Sequence, residues 1–367
     1  MTAFSIYLHI PFCTRLCPYC HFYKVPEVPD WKVYLDAVIG ELDAMVNPAG
    51  GSVTTLYVGG GTPTLMPPEF YGSLLAALDD RLGLTQLAEA TIETDGGIAG
   101  DKLEGYTRAG FDRVSVGVKS FDSRMREILG AGQLTDPDPV ATARSAGFSS
   151  VSLDLVYGFE GQGMDDLITD LMRAVLLDPD HVSLYALEEA ETGRPREGEP
   201  DLAAAMFRES ARTLLAAGYH QYEITNFARS GHESLHNTVY WEDGDFIGLG
   251  PSAHSAVTAD GTRVRWMNRP DISAYLGDPE SCREELSREI GPDRAKEALI
   301  LALRMTKGVH RPTFALRYGC DPLELLKPHL AELTELGLIR YSAGRVRLTT
   351  RGMLLSNEVF VRILGDR

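Results

Sequence analysis

Three cysteines fall within eight residues: Cys13, Cys17 and Cys20, in the run Cys13-Thr14-Arg15-Leu16-Cys17-Pro18-Tyr19-Cys20. This C-x3-C-x2-C spacing lets one loop turn three sulfurs to the same side of a metal centre and leaves a fourth position empty. An iron–sulfur cubane normally takes four cysteine thiolates, so the loop points to a cluster with one iron open to a substrate or cofactor. A zinc site closed by His9 or His21 is the alternative. Structural zinc usually completes its tetrahedron from two pairs of ligands, and no second pair follows. Cys282 and Cys320, the other two of five cysteines, stand far off in surroundings that read as packing. An odd, sparse count with no secretory leader pattern argues for reduced thiols and a cytoplasmic location.

Further groups with chemical potential recur where strands should end. Gly59-Gly60-Gly61-Thr62-Pro63 follows an apolar run, and a backbone without side chains can approach a ligand closely. Such a run suits a small polar group such as the ammonium of an amino acid. Glu93, Lys119, Asp154 and the pair Glu188-Glu189 lie at or just past the ends of later strand-like stretches.

The elements that must carry these groups alternate. Strands are expected at 5–10, 53–58, 90–94, 113–118, 150–156 and 181–187. Helical periodicity is expected over 29–46, 68–82, 101–109, 122–129, 165–177 and 202–217. Six strand–helix units imply a parallel sheet with right-handed crossovers, short of the eight in a closed barrel. The expected fold is α/β, a partial (β/α)6 barrel with its chemistry at the C-terminal strand ends. A first domain of 1–265 holds it. Residues 266–289 read as a connection. Helical stretches at 295–305, 312–318, 323–336 and 351–364, with a hairpin at 338–341 and 345–348, suggest a winged-helix-like module closing a second domain of 266–367.

The 367 residues carry 35 basic and 52 acidic side chains, a net charge of −17. That balance repels phosphate backbones and disfavours nucleic acid as a partner. No stretch nears the eighteen apolar residues that a membrane span needs.

The blocks SIYLHIPFCTRLCPYCHF, LYVGGGTPTL, SVGVKSFD, SLDLVYG, SLYAL, GYHQYEITNFARSG, HNTVYW and FIGLGPSAHS, in that order, resemble the radical S-adenosylmethionine (SAM) superfamily. Within it they resemble the oxygen-independent coproporphyrinogen oxidase (HemN/HemW) family, over nearly the whole chain. The resemblance implies that Cys13, Cys17 and Cys20 hold a 4Fe–4S cluster whose open iron chelates SAM. One electron, from a donor such as flavodoxin or ferredoxin, would then cleave SAM to a 5′-deoxyadenosyl radical. It also implies that Gly59, Gly60, Gly61 and Thr62 hold the methionine end, that Glu93 and Asp154 face the adenosyl part, and that Tyr7 borders the site. Phe22 stands where the oxidases have a further cysteine.

Four departures from the family's heme chaperones stand out: Glu93-Thr94-Asp95-Gly96-Gly97, Gly117-Val118-Lys119-Ser120-Phe121, Leu129-Gly130-Ala131-Gly132-Gln133 and Leu187-Glu188-Glu189-Ala190-Glu191. Ala131 replaces an arginine expected to pair with a SAM carboxylate, and Lys119 returns a cation to the same mouth. The pattern resembles the class C radical SAM methyltransferases. That implies two SAM molecules, a peptide or small aromatic acceptor methylated at an sp2 carbon, and a base among Tyr240, Glu188 and Glu189. The alternative is a heme-binding chaperone with His236, of His236-Asn237-Thr238-Val239-Tyr240-Trp241, as the iron ligand.

Overall fold

A computed structural model describes residues 3–45, 51–97, 99–187 and 200–365. Six parallel strands form its centre: β1 (Ala3–Ile10), β2 (Ser52–Gly60), β3 (Glu89–Asp95), β4 (Arg113–Lys119), β5 (Ser150–Tyr157) and β6 (His181–Ala186). The helices between them are α1 (Trp31–Ala44), α2 (Pro68–Leu82), α3 (Gly100–Ala109), α4 (Ser123–Leu129), α5 (Pro139–Ser145), α6 (Met164–Leu177) and α7 (Pro200–Ala216). The α/β partial barrel expected from the alternation is therefore present. Asp30 starts α1 by accepting the Lys32 N–H at 3.0 Å, the usual duty of an N-cap aspartate. The short helix α5 is an addition to the expected set.

Each central strand alternates. Ile6, Leu8, Ile10, Val58, Ile92, Val114, Val116, Leu153, Leu155, Val182 and Leu184 are buried in one apolar core shared with the helices. Their neighbours on the other face are polar: Ser5, Tyr7 and His9 on β1, Thr55 and Tyr57 on β2, Thr91 and Glu93 on β3, Arg113 and Ser115 on β4, Ser152 and Asp154 on β5. Successive side chains of a strand point to opposite faces, so one face is packed and the other lines a polar lumen. Closed barrels of this class fill the same space with branched apolar residues.

The sheet runs further than six strands. After β6 come β7 (His220–Gln221) and β8 (Asn226–Ala228), antiparallel at that edge. Helix α8 (Leu235–Trp241) leads into β9 (Asp245–Leu249), which pairs parallel with β1. Strands β10 (His254–Ala259), β11 (Thr262–Asn268) and β12 (Arg283–Glu289) extend that side antiparallel, and α9 (Ile272–Gly277) lies between the last two. The twelve strands run β12-β11-β10-β9-β1-β2-β3-β4-β5-β6-β8-β7. The stretch 266–289 is thus part of the sheet rather than a connection, and the expected division at 265/266 falls inside β11. β12 reads Arg-Glu-Glu-Leu-Ser-Arg-Glu, a charged edge of the kind that blocks further strand pairing and that hides a strand from a search for apolar alternation.

From Ala295 to Ile363 a second core forms, joined by Ile224. It includes α10 (Gly291–Leu303), α11 (Arg311–Tyr318) and a three-stranded sheet of 309–310, 345–348 and 339–341. The helix expected over 323–336 is two, Pro322–Leu326 and Leu330–Glu335, because Pro328 between them offers no N–H to a helical ladder. The helix expected over 351–364 also breaks, at Leu355. Asp243, buried at the turn before β9, fastens this module to the sheet. It lies 3.4 Å from Arg263 of β11, 3.6 Å from Arg294 of α10 and 3.8 Å from Arg317 of α11, and it accepts the Tyr318 hydroxyl at 3.0 Å. Among the described residues no helix is long and apolar enough to cross a membrane.

Candidate functional site

The cysteine loop leaves the C-terminal end of β1 and is clasped at its base. Phe12 bridges to Val25, Cys13 N–H donates to the Val25 carbonyl at 3.0 Å, and Val25 N–H donates to Pro11 at 2.7 Å. Lys24 then donates to the Cys20 carbonyl at 2.5 Å. All three thiols are free; Cys13 is buried while Cys17 and Cys20 are half-buried. The Cys13 sulfur lies 3.4 Å from Thr62 Oγ1, and Cys17 donates to the Gly130 carbonyl at 3.5 Å. Burial pushes the Cys13 thiol up, and Cys20 and Cys17 add to that rise. Three soft donors on one loop are the ligand type an iron–sulfur cluster takes.

The glycine run does a more specific job than the sequence implies. The Gly61 N–H donates to the Ile10 carbonyl at 2.7 Å and the Thr62 N–H to Phe12 at 2.8 Å. A Cβ at Gly61 would meet the Phe12 oxygen at 2.5 Å, and one at Gly60, where φ is +116°, would meet the His9 ring at 2.7 Å. The glycines thus let the end of β2 lie against the root of the cysteine loop. The Gly60 N–H donates to Glu93 at 3.2 Å. These amides are committed to the protein, so any ammonium held here would go to carbonyls or to Glu93.

Four of the expected residues meet in the lumen. Tyr57 donates to Glu93 at 2.8 Å, and Ser115 donates to Asp154 at 2.9 Å. Burial, reinforced by Asp154, pushes the Glu93 carboxyl up to about 7, while Tyr57 and Lys119 pull the other way. Tyr7 donates to or accepts from His9 Nδ1 at 3.0 Å, and its own ionisation is pushed well up by burial and by Glu93. Lys119 ends β4 beside a register shift, with φ +66°, a conformation costly for a side chain with a Cβ. Its amine lies back over Gly117, where a Cβ would come within 2.9 Å of Nζ. Phe22, by contrast, is 64% exposed.

His236 is placed differently from the expectation. It is fully buried, with Nδ1 2.8 Å from Thr55 Oγ1 and Nε2 2.6 Å from the Tyr240 hydroxyl. Thr55 in turn donates to Ser5 at 2.6 Å. Burial, with Arg113 nearby, pushes His236 down to about 3, so it is a neutral ring in a closed network. An axial ligand needs a bare ring nitrogen, and His236 has neither a free nitrogen nor access; the expectation of heme ligation there is corrected. Its position has a local cause. Buried Glu89 caps α8 from below, accepting the N–H groups of Leu235 at 2.9 Å and His236 at 3.1 Å. Tyr240 spends its hydroxyl on His236 and is pushed up by burial and by Glu93, which disqualifies it as a ready base. Glu188 and Glu189 lie outside the described residues.

The sequence reading missed two cations beside the loop. Arg126 is buried and donates to the carbonyls of Gly132 at 2.7 Å, Ala131 at 3.2 Å and Val118. It braces the segment that carries Ala131. Arg15 packs over Gly132, where a Cβ would meet its guanidinium at 3.0 Å. With Arg124, these two line a cleft of 1120 Å³ that also includes Gln133 and Thr135. Their signal was an arginine inside the cysteine loop and two in α4, in a chain poor in basic residues.

Residues 7–174 match the radical SAM superfamily and 291–355 match the HemN C-terminal domain. The heme chaperone HemW of Bacillus subtilis is 34% identical over 99% of both chains, and HemW of Escherichia coli is 32% identical over 99% of this chain and 98% of its own. Among solved structures, coproporphyrinogen III oxidase (HemN) from Escherichia coli superposes with a TM-score of 0.78 at 23% identity, over 99% of this chain and 90% of that one. The last likeness bears on the fold alone. Full-length relatives that are heme chaperones overturn the expectation of a class C methyltransferase. The peptide acceptor and second SAM molecule that followed from that expectation lose their basis with it.

Proposed function

The chain belongs to the HemN/HemW family of the radical SAM superfamily, and from that premise we propose that it is a heme carrier of the HemW type, binding heme and passing it to hemoproteins. The observation that carries this is identity of about one third along the full length of two heme chaperones, both domains included. Superfamily membership implies a 4Fe–4S cluster and SAM. In this reading Cys13, Cys17 and Cys20 hold the cluster, which when bound supplies an open iron and a reducing electron. Gly60, Gly61 and Thr62 fix the distance between the loop and the lumen. Glu93 and Asp154 take the polar parts of SAM, and Lys119, with Arg15 at the rim, meets its carboxylate in place of the arginine that Ala131 lacks. The strained backbone at Lys119 is what a position retained for such a contact looks like. A small electron-transfer protein such as flavodoxin or ferredoxin is the partner for reduction. Phe22, standing where the oxidases have a cysteine, favours a carrier over coproporphyrinogen oxidation.

Anaerobic reconstitution with iron, sulfide and SAM, followed by hemin titration, tests this. The expected result is saturable uptake near one heme per chain without S-adenosylhomocysteine formation. Failure to take up heme, or steady production of homocysteine product with a methyl acceptor, would overturn it.

A further inference from the structure

If the chain carries heme, as proposed above, an imidazole is a common axial ligand for its iron, and His236 does not offer one. The other eight of the nine histidines can be sorted by the state of their rings. His9 and His181 are buried with both nitrogens engaged, His9 by Tyr7 and the Tyr23 carbonyl, His181 by Ser152 and Tyr222. His220 is paired with Glu233 at 2.7 Å, and His232 lies between Ser150 and Asp180. His310 and His329, each with only Nδ1 engaged, by Thr313 and by Glu332, are set aside by place rather than by ring, since both are on the C-terminal module and not on the twelve-stranded sheet. His21 and His254 are exposed, and neither ring is hydrogen-bonded among the described residues.

These two differ in what supports them. His21 is on the cysteine loop next to a thiol the cluster would use. His254 opens strand β10, within electrostatic reach of His9 at the end of β1. It stands directly across from Met267 of β11, and Ala256 stands across from both Arg265 and Phe246. Residues opposite one another, or two apart, share a face of an antiparallel sheet. His254, Met267, Phe246 and Arg265 therefore lie on one face around the fully buried Ala256, with Arg265 committed to Glu289 at 2.9 Å. Phe246 meets Tyr240 edge-on at 4.5 Å, which joins this wall to the lumen. The strand pair is fixed from behind: buried Glu41 of α1 accepts from the Gly250 N–H at 2.9 Å and from Asn268 Nδ2 at 2.7 Å. An unengaged imidazole on a rigid strand, flanked by a thioether and an aromatic ring, matches a flat apolar macrocycle with an iron centre.

We propose that His254, rather than His236, supplies the axial imidazole to heme iron on the β10–β11 face. The test is hemin titration of the full-length chain, followed by absorption and electron paramagnetic resonance spectra. The variants are His254→Ala, His21→Ala and His236→Asn, each first checked for folding by circular dichroism. His254→Ala is expected to lose the imidazole-ligated spectrum, to bind hemin about tenfold or more weakly, and to regain the spectrum when free imidazole is added. His21→Ala and His236→Asn are expected to keep the wild-type spectrum. A wild-type spectrum in folded His254→Ala, or its loss in either of the other two, overturns the assignment. If the unmodified chain takes up no hemin, the carrier reading itself falls and the assignment falls with it.

Discussion

Replacing Gly61 by alanine puts a methyl group where two backbone segments leave no room. Its Cβ would lie 2.5 Å from the Phe12 carbonyl oxygen and 3.0 Å from that of Ile10, against an ordinary contact of 3.4 Å or more. The end of β2 and the root of the cysteine loop must therefore part by about 0.9 Å, the difference between 3.4 and 2.5 Å. Neither obstacle is a flexible side chain, and both oxygens already accept bonds across this seam, at 2.7 Å from Gly61 and 2.8 Å from Thr62. Overpacking of this kind costs about 1–3 kcal/mol, and weakening one of the bonds adds about 0.5–1.5 kcal/mol. Cys13 follows Phe12 directly, so the displacement reaches the first thiol and its contact with Thr62. Denaturant unfolding should register a loss of about 2–4 kcal/mol. Iron and sulfide per chain after anaerobic reconstitution should fall below wild type. Gly72→Ala is the control, since a Cβ there meets nothing within 4 Å; in mid-helix it should be neutral or stabilise by up to about 1 kcal/mol. If Gly61→Ala matched wild type in both stability and cluster content, close approach at Gly61 would not be what seats the loop.

Four further outcomes are expected. Glu93 is raised to about 7 when folded against an ordinary 4.5, so the folded chain holds the extra proton between those values and loses stability as pH rises through them. Glu93→Gln should flatten that slope in the cluster-free chain and stabilise it above pH 7 by no more than about 3 kcal/mol, less for the solvent the carboxyl still meets; an unchanged pH profile in denaturant melts would contradict this. His236→Asn should lower stability by about 2–4 kcal/mol because Thr55 and Tyr240 lose a buried partner, read by thermal or urea unfolding. Asp243→Asn keeps the left-handed backbone accessible but removes the anion facing Arg263, Arg294 and Arg317; a loss of about 3–5 kcal/mol, with faster proteolytic release of the C-terminal module, is expected. Lys119→Gly should relieve backbone strain and stabilise by about 1 kcal/mol or more while weakening SAM binding by calorimetry about tenfold, and Lys119→Gln should share only the weakened binding.

The chemistry of the cysteine loop and the strand ends was legible because both depend on local spacing. Cys13, Gly61, Glu93 and Asp154 sit close to where alternation and turn chemistry put them. The polar lumen was equally written in the strands, as Ser5-Tyr7-His9 against Ile6-Leu8-Ile10, but the apolar half of each pattern dominated the reading. The extension β9–β12 was hidden by its charge: an edge strand carrying Arg283, Glu284, Glu285, Arg288 and Glu289 resembles a solvated linker until its partner is known. His236 misled for a different reason. Its residue type invites iron, and only the position of α8 over Glu89 and Thr55 reveals that its ring is spent on structure. Arg126 escaped notice because its bonds go to carbonyls that come near only after the turn beyond α4 closes.

Whether the chain carries heme is decided by a transfer assay. The full-length chain, reconstituted anaerobically and loaded with hemin, is mixed with an apo-hemoprotein, and the acceptor's absorption spectrum and regained activity are followed with and without SAM. A heme carrier gives its heme to the acceptor as it loses it, faster than free hemin does under the same conditions. Retention of heme by the chain, or transfer no faster than from free hemin, would contradict that role.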